Sequence, residues 1–325
     1  MENINFEKLV YPSKKLALSL IELDDWSLIR VSGTDSRTYL QSQLTINVDL
    51  LQSNKHIICA HCNINGKVWS ILRLFFFNND YAYIERKDVV NIQIRALKKY
   101  SIFSRVFIHE ENNFLLFGVA GSGYKAREML SRLFINLPDK NNTLVTDKNI
   151  TLLWIGVPEE RFLLIIPKDH KIINNIKKSN IIVAKSNQWL SLDIESGFPI
   201  INKKMMNKFV PLFLNLEKVD GIDFKKGCYC GQEVIAKIKF RSINKYSLYW
   251  LVSVTHSQNL PEIGSLLELK KFKQWYVVGY VLVSVIMYDG SIWMQAVLHS
   301  GLIKKSEFRV CGEKNNFFYA KTDFL

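Results

Sequence analysis

Lys225-Lys226-Gly227-Cys228-Tyr229-Cys230-Gly231-Gln232-Glu233 sets a thiol between two glycines and behind two lysines. Neighbouring positive charge favours a thiolate over a thiol, and glycine lets the backbone bend tightly enough to expose the sulfur. After Gly231 the apolar residues Val234, Ile235 and Ile238 fall at helical spacing. This places Cys228 in a loop just before a helix, whose positive N-terminal end also favours an anion. The plainer alternative is a lysine-rich surface loop with an inert cysteine.

Downstream of Tyr246 the pattern is one of short strands: Leu248 to Val254, Ser265 to Leu269, Trp275 to Val285, Ser291 to Leu298 and Phe308 to Cys311. Such close, regular spacing with turns between predicts a small barrel over residues 243–325. Upstream, strands and helices mix. Leu16 to Ile21 and Leu28 to Val31 flank the Asp24-Asp25-Trp26 turn, and Gly33-Thr34-Asp35 opens a helix ending near Thr45. Ile57 to Cys62 and Lys67 to Phe77 form a hairpin across Asn63-Ile64-Asn65-Gly66, followed by Tyr81 to Glu85. A helix through Val89, Ile92 and Leu97, a strand from Phe114 to Val119 and a helix from Tyr124 to Phe134 come next. Leu137 to Asn149 reads as a surface loop, and Leu152 to Ile155 with Arg161 to Ile166 as another hairpin. The fold class is α+β, with residues 1–242 as two intertwined subdomains that break near 50 and across 112–150.

The chain has 325 residues with Lys plus Arg at 43 against Asp plus Glu at 30, a formal charge of +13. Its isoelectric point is near 9.4 and its mean hydropathy +0.02. That length fits two or three domains with ample core. The positive balance admits contact with RNA or small anions, although the lysines are scattered rather than run together. Five cysteines at irregular spacing do not make a disulfide framework. The start, Met1 to Glu7, lacks the pattern of a signal peptide, and no stretch reaches the length of a membrane span. The expectation is a cytoplasmic protein without membrane contact.

Lys226-Gly227-Cys228-Tyr229-x-Gly231-Gln232-Glu233 resembles the K-G-C-Y-x-G-Q-E signature of the YgfZ family, folate-binding relatives of the glycine-cleavage aminomethyltransferase. The resemblance extends from Leu23-Asp24-Asp25-Trp26 through Gln188-Trp189-Leu190 to Lys239-Phe240-Arg241, nearly the whole chain. Cys230 departs from the pattern and leaves a second thiol role open. The resemblance implies an aminomethyltransferase-like multidomain fold and a folate-binding accessory protein, tetrahydrofolate being the expected form. It also implies support of tRNA methylthiolation and of iron–sulfur enzymes such as a tRNA methylthiotransferase, with an effect on replication initiation. Direct contact with tRNA is a further reading of the charge.

A folate site needs aromatic faces, a few polar groups and a cation for the glutamate tail. By resemblance Trp26 and Trp189 form that platform, with Lys226 and Arg241 as candidates for the tail. Cys228 is the functional thiol and Lys226 its support. Cys59-x-x-Cys62, between His56 and His61, invites a zinc reading. Residues three apart on a strand face opposite ways, so two buried strand cysteines are expected and no metal. Nor do Cys228 and Cys230 have partners at cluster-binding spacing. In the aminomethyltransferase relatives a pair of aspartates follows the first hairpin glycine. Here Gly66-Lys67-Val68-Trp69-Ser70-Ile71 carries Ser70 and Ile71 instead. A positioned acid or base contributes roughly 10²- to 10⁴-fold to rate, so its loss argues against the alternative of a folate-dependent one-carbon transferase.

Overall fold

The structure, a computed structural model, describes residues 9–178, 181–254, 259–301 and 306–321; the reading of the first seven residues lies outside them. The chain divides into two compact units. The first takes the described residues up to Leu40 with Val48–Ile57 and Leu72–Leu192, and the second takes Gln41–Asn47, Ile58–Ile71 and the described residues from Asp193 onward. Among the described residues no helix is long and apolar enough to cross a membrane.

The first unit is built on a six-stranded sheet in the order Ile182–Ala184, Ser19–Glu22, Phe114–Ala120, Arg161–Pro167, Ile150–Ile155, Leu144–Asp147. Ile182–Ala184 pairs parallel to Ser19–Glu22, whereas the pairings from Ser19–Glu22 onward are antiparallel. Alternate residues Leu20, Val119, Phe162, Leu164 and Leu152 share one face, covered by the helices Lys125–Leu130 and Ile172–Lys177. Ile21, Leu163 and Leu153, on the other face, are buried too. A sheet buried on both sides reads as continuous apolar runs, which is why Phe162 to Ile166 does not alternate. The predicted helix from Tyr124 is shorter than its apolar spacing implied, ending at Leu130. Leu144–Asp147 is a strand where a loop is predicted. It turns back through Lys148 and Asn149, both at positive φ, to pair with Ile150–Ile155.

A five-stranded sheet runs His56–Cys62, Val68–Phe77, Asp80–Arg86, Trp26–Ser32, Phe107–Glu110. Its Asn63–Gly66 turn forms as the sequence predicts. Asn63 Oδ1 accepts the backbone N–H of Asn65 (2.9 Å) and of Lys67 (3.0 Å), and Gly66 takes φ +68°. Ser36–Gln43 and Val90–Tyr100 are helical, and the Tyr39 hydroxyl donates to Leu97 O at 2.6 Å.

In the second unit six strands close into a barrel, in the order Tyr246–Ser253, Ile292–His299, Gln274–Ile286, Leu266–Lys271, Glu307–Val310, Phe317–Ala320. Leu251, Leu267, Val281, Met294, Phe308 and Phe318 fill it. The strand absent from the sequence reading, Phe317–Ala320, is the closing one. It pairs with Glu307–Val310 on one side and Tyr246–Ser253 on the other, leaving the barrel no open edge. The barrel is tied to the turn before it by Asn215, whose Nδ2 donates to Leu248 O at 3.0 Å.

Candidate functional site

The thiol loop lies wholly in the second unit and is anchored at both ends. On the near side Asp223 N–H donates to Thr45 O (2.8 Å), and Asp223 Oδ1 accepts the Lys225 N–H (2.7 Å). On the far side Cys230 N–H donates to Ser42 O at 3.0 Å. Gly231 then adopts φ +82° where its Cα meets the Asn63–Gly66 turn. A Cβ there would run into Asn63 O and come to 2.7 Å from Gly66 Cα. Glycine is required twice over, by conformation and by space. Gln232–Phe240 follows as a helix, as expected. Between the anchors Gly227 and Cys228 are exposed.

Lys226 corrects the sequence reading. Its Nζ donates to Gln41 O (2.6 Å), Leu44 O (2.7 Å) and Ile46 O (2.7 Å), and the side chain is only 7% exposed. An ammonium has three N–H donors, and here each has a carbonyl acceptor. None remains for a thiolate or a folate carboxylate. Those carbonyls cluster at the end of the helix Ser36–Gln43, where unpaired C=O groups and the negative dipole end attract a cation. Lys226 therefore caps a helix about 180 residues upstream. Its ammonium also lies 5.0 Å from the Tyr229 ring centroid, which helps hold Tyr229 in the core.

The five cysteines differ in environment. Cys59 and Cys62 are buried, as read, and burial holds both as thiols. Cys62 is pushed up further by its neighbours Cys230 and Cys59, while Cys59 is drawn slightly back by Lys226. Half-buried Cys230 is raised by desolvation. Cys311 is exposed but donates to Glu268 Oε1 at 3.5 Å, and that carboxylate raises its pKa. Exposed Cys228 sits in the open bend. His61, beside Cys62, is buried and held neutral, its pKa lowered to about 3 by desolvation.

In the first unit Trp26 lines a cavity of about 410 Å³ with Phe114, Glu110, Lys87, Lys168 and Lys177. Arg86, its cross-strand partner, places its guanidinium 4.5 Å from the indole centroid and 3.7 Å from Asp25. The volume falls within the roughly 300–1,000 Å³ usual for small-molecule sites. The lining joins aromatic rings and three lysines with four carboxylates, Glu22, Asp24, Glu110 and Glu111. Glu110 accepts the Ser27 hydroxyl through Oε1 (2.7 Å) and keeps Oε2 for pterin N–H groups, while Lys177 lies 3.9 Å from Glu22, so Lys87 and Lys168 are the cations that fit a folate tail. Trp189 does not line it. The indole is 2% exposed, lies against Gly118 and carries Arg161 at 4.3 Å from its centroid, which makes it a core residue. Arg241 belongs to the other unit. The cavity lysines escaped sequence reading because nothing local distinguishes Lys87, Lys168 or Lys177 from the other lysines of a basic chain. Ser70 and Ile71 are buried in the strand Val68–Phe77 and bring no charge.

The chain is 44% identical over 315 residues to "tRNA-modifying protein YgfZ" of Buchnera aphidicola subsp. Acyrthosiphon pisum, a match that covers 97% of this chain and 98% of that protein. It belongs to the YgfZ family. A YgfZ protein of Yersinia enterocolitica is 40% identical over 304 residues, 92% of this chain and 89% of the relative. The family profile described as "YgfZ, beta-barrel domain" matches residues 244–313. Among solved structures, the glycine cleavage system aminomethyltransferase T from Bartonella henselae superposes with a TM-score of 0.75 at 13% identity, covering 98% of this chain and 91% of that one. The chain thus has the aminomethyltransferase-like fold expected from its motif.

Proposed function

We propose that this protein is a folate-binding accessory factor that supports tRNA modification by methylthiolation and the upkeep of iron–sulfur enzymes, with a regulatory effect on replication initiation. The observation that carries the reading is the rigidly anchored loop that leaves Cys228 exposed. The name borne by the relatives, tRNA-modifying protein, supports the pathway. Buried Ser70 and Ile71, where transferase carboxylates are expected, weigh against retained aminomethyl transfer.

Cys228 works as a thiolate. It would meet a partner or a cluster component, to which an exposed sulfur offers a soft donor. Lys226 and Gly231 act on it only as positioning residues. Bound folate would supply a one-carbon carrier. Toward it Trp26 offers an aromatic wall, Glu110 an acceptor for N–H groups, and Lys87 and Lys168 positive charge for the tail. Domain boundaries near 50, 112–150 and 243 belong to the same proposal, as does the cytoplasm as the place of action.

Two measurements on one set of variants test it. Cys228→Ala is expected to abolish methylthiolation of tRNA in cells while leaving the melting curve unchanged; normal methylthiolation would remove the thiol from the mechanism. Titration with tetrahydrofolate is expected to quench tryptophan fluorescence in wild type and in Trp189→Phe but much less in Trp26→Phe. Equal quenching in all three would place folate elsewhere.

A further inference from the structure

The helix that follows the thiol loop ends on an exposed aromatic ring in a field of positive charge. Phe240 is 73% exposed. Its ring leans on Phe224 in an edge contact, centroids 6.0 Å apart at 68°, so the support comes from beneath and the outer face stays open. The backbone there is locked. Arg241 N–H donates to Lys237 O (3.1 Å), Ser242 N–H to Lys239 O (3.1 Å) and Ile243 N–H to Ile238 O (3.2 Å), with Ser242 at φ +52°. These bonds close the helix end in the manner of a left-handed cap. The ring is held outward by structure, not left there by fraying.

Along this stretch of chain the charge has one sign. From Val234 to Val254 the sequence carries Lys237, Lys239, Arg241 and Lys245 and no acidic residue. Lys239 pairs with Glu217 and also approaches the Phe224 ring at 5.9 Å. Lys237, Arg241 and Lys245 are exposed and form no ion pair among the described residues. A second set of rings begins at Tyr246, which lies 5.1 Å from Phe213 and 4.4 Å from exposed His299.

One exposed ring flanked by cations at short spacing matches a polyanion whose repeating unit also has a flat face. Unpaired nucleotides have both: bases stack on aromatic rings, and the phosphates between them meet lysine and arginine. Duplex RNA hides its base faces within the helix. A protein partner would call for a wide apolar patch, whereas Phe240 has exposed Ile243 and three exposed cations as its neighbours in the chain.

We propose that Phe240, with Lys237, Arg241 and Lys245, forms a docking site for a single-stranded segment of RNA, such as the unpaired loop of a tRNA arm. The assignment deepens the tRNA-modification reading, since it puts the RNA next in the chain to the functional thiol.

The test uses the full-length protein and fluorescence anisotropy with a labelled RNA stem–loop, against a blunt duplex of the same composition. Phe240→Ala is expected to weaken stem–loop binding about 5- to 150-fold, the range for loss of one stacked base. Its salt dependence should hold, and Phe240→Tyr should restore the affinity. Lys237→Gln and Arg241→Gln should each lower the slope of log affinity against log salt by about 0.7. Unchanged binding in Phe240→Ala overturns the proposal. So does equal affinity for the duplex, or a change in sedimentation that marks Phe240 as a contact between copies. Cys228→Ala separates the two readings. If it binds the stem–loop normally yet loses methylthiolation, while Phe240→Ala binds as wild type, the docking site fails and the thiol function stands. If Phe240→Ala loses binding while Cys228→Ala methylthiolates normally, the thiol function fails and the docking site stands.

Discussion

Cys228 and Cys311 are both exposed, both in the second unit and both next to basic residues, yet they are built differently. Cys311 follows the barrel strand Glu307–Val310, and its sulfur hydrogen-bonds Glu268, itself held by Arg309 at 2.8 Å. A carboxylate beside a thiol stabilises the neutral form. Cys228 stands in a bend whose flanks are fixed by backbone hydrogen bonds and by a buried ammonium. Two equally accessible sulfurs are therefore supported in different ways.

The largest expected effect comes from removing that support. Lys226→Met would leave three carbonyls without their donor and is expected to cost about 3–5 kcal/mol in urea unfolding. It should also blur the difference between the two cysteines, because the bend loses its inner anchor. A loss below 1 kcal/mol, roughly the value of a surface charge pair, would mean that the ammonium is not the anchor described.

Acid should separate the same two regions by a smaller amount. His61, on the strand leading into the Asn63–Gly66 turn beneath the loop, has its pKa lowered from 6.5 to about 3. Between those values the unfolded chain binds a proton that the folded chain does not, so stability falls as the pH falls. The slope is about 1.4 kcal/mol per pH unit for this group. At the barrel rim Glu307 is lowered from 4.5 by its hydrogen bond from Lys270, so its contribution is lost only at lower pH. Hydrogen exchange at pH 5 against pH 7 should show the thiol loop loosening before the rim, and His61→Gln should shallow that profile without abolishing it, because buried His56 on the same strand is also lowered to about 3. Simultaneous loosening would contradict the assignment.

The smallest effect is one of rate. Iodoacetamide at neutral pH should modify Cys228 before Cys311, whose raised pKa leaves less thiolate, and Cys311 should catch up as the pH rises. Glu268→Gln is expected to speed Cys311 labelling without altering that of Cys228. Mass spectrometry of the two peptides reads this directly, and an unchanged Cys311 rate would detach its pKa from Glu268.

Much of the fold was legible where a local rule acts alone. Asn65-Gly66 announced a hairpin through its turn preference, and the close, regular spacing of short strands downstream of Tyr246 announced a barrel. Leu144–Asp147, Ile182–Ala184 and Phe317–Ala320 were not legible, being four residues or fewer and held by strands distant in sequence. The site divides in the same way. The exposure of Cys228 followed from its glycines. The task of Lys226 did not, because its acceptors lie about 180 positions away. For Trp26 and Trp189 residue type gives no distinction, and only Arg161 and Gly118 make the latter an interior residue.

The three carbonyls that receive Lys226, and the turn that receives Gly231, come from segments 41–47 and 58–71. The bend that carries Cys228 is thus not portable. A gene fragment beginning at Asp193 would encode the motif and the barrel intact yet omit the floor on which the motif rests. Modular reuse of the thiol by fusion to another protein would have to carry most of the N-terminal coding sequence along.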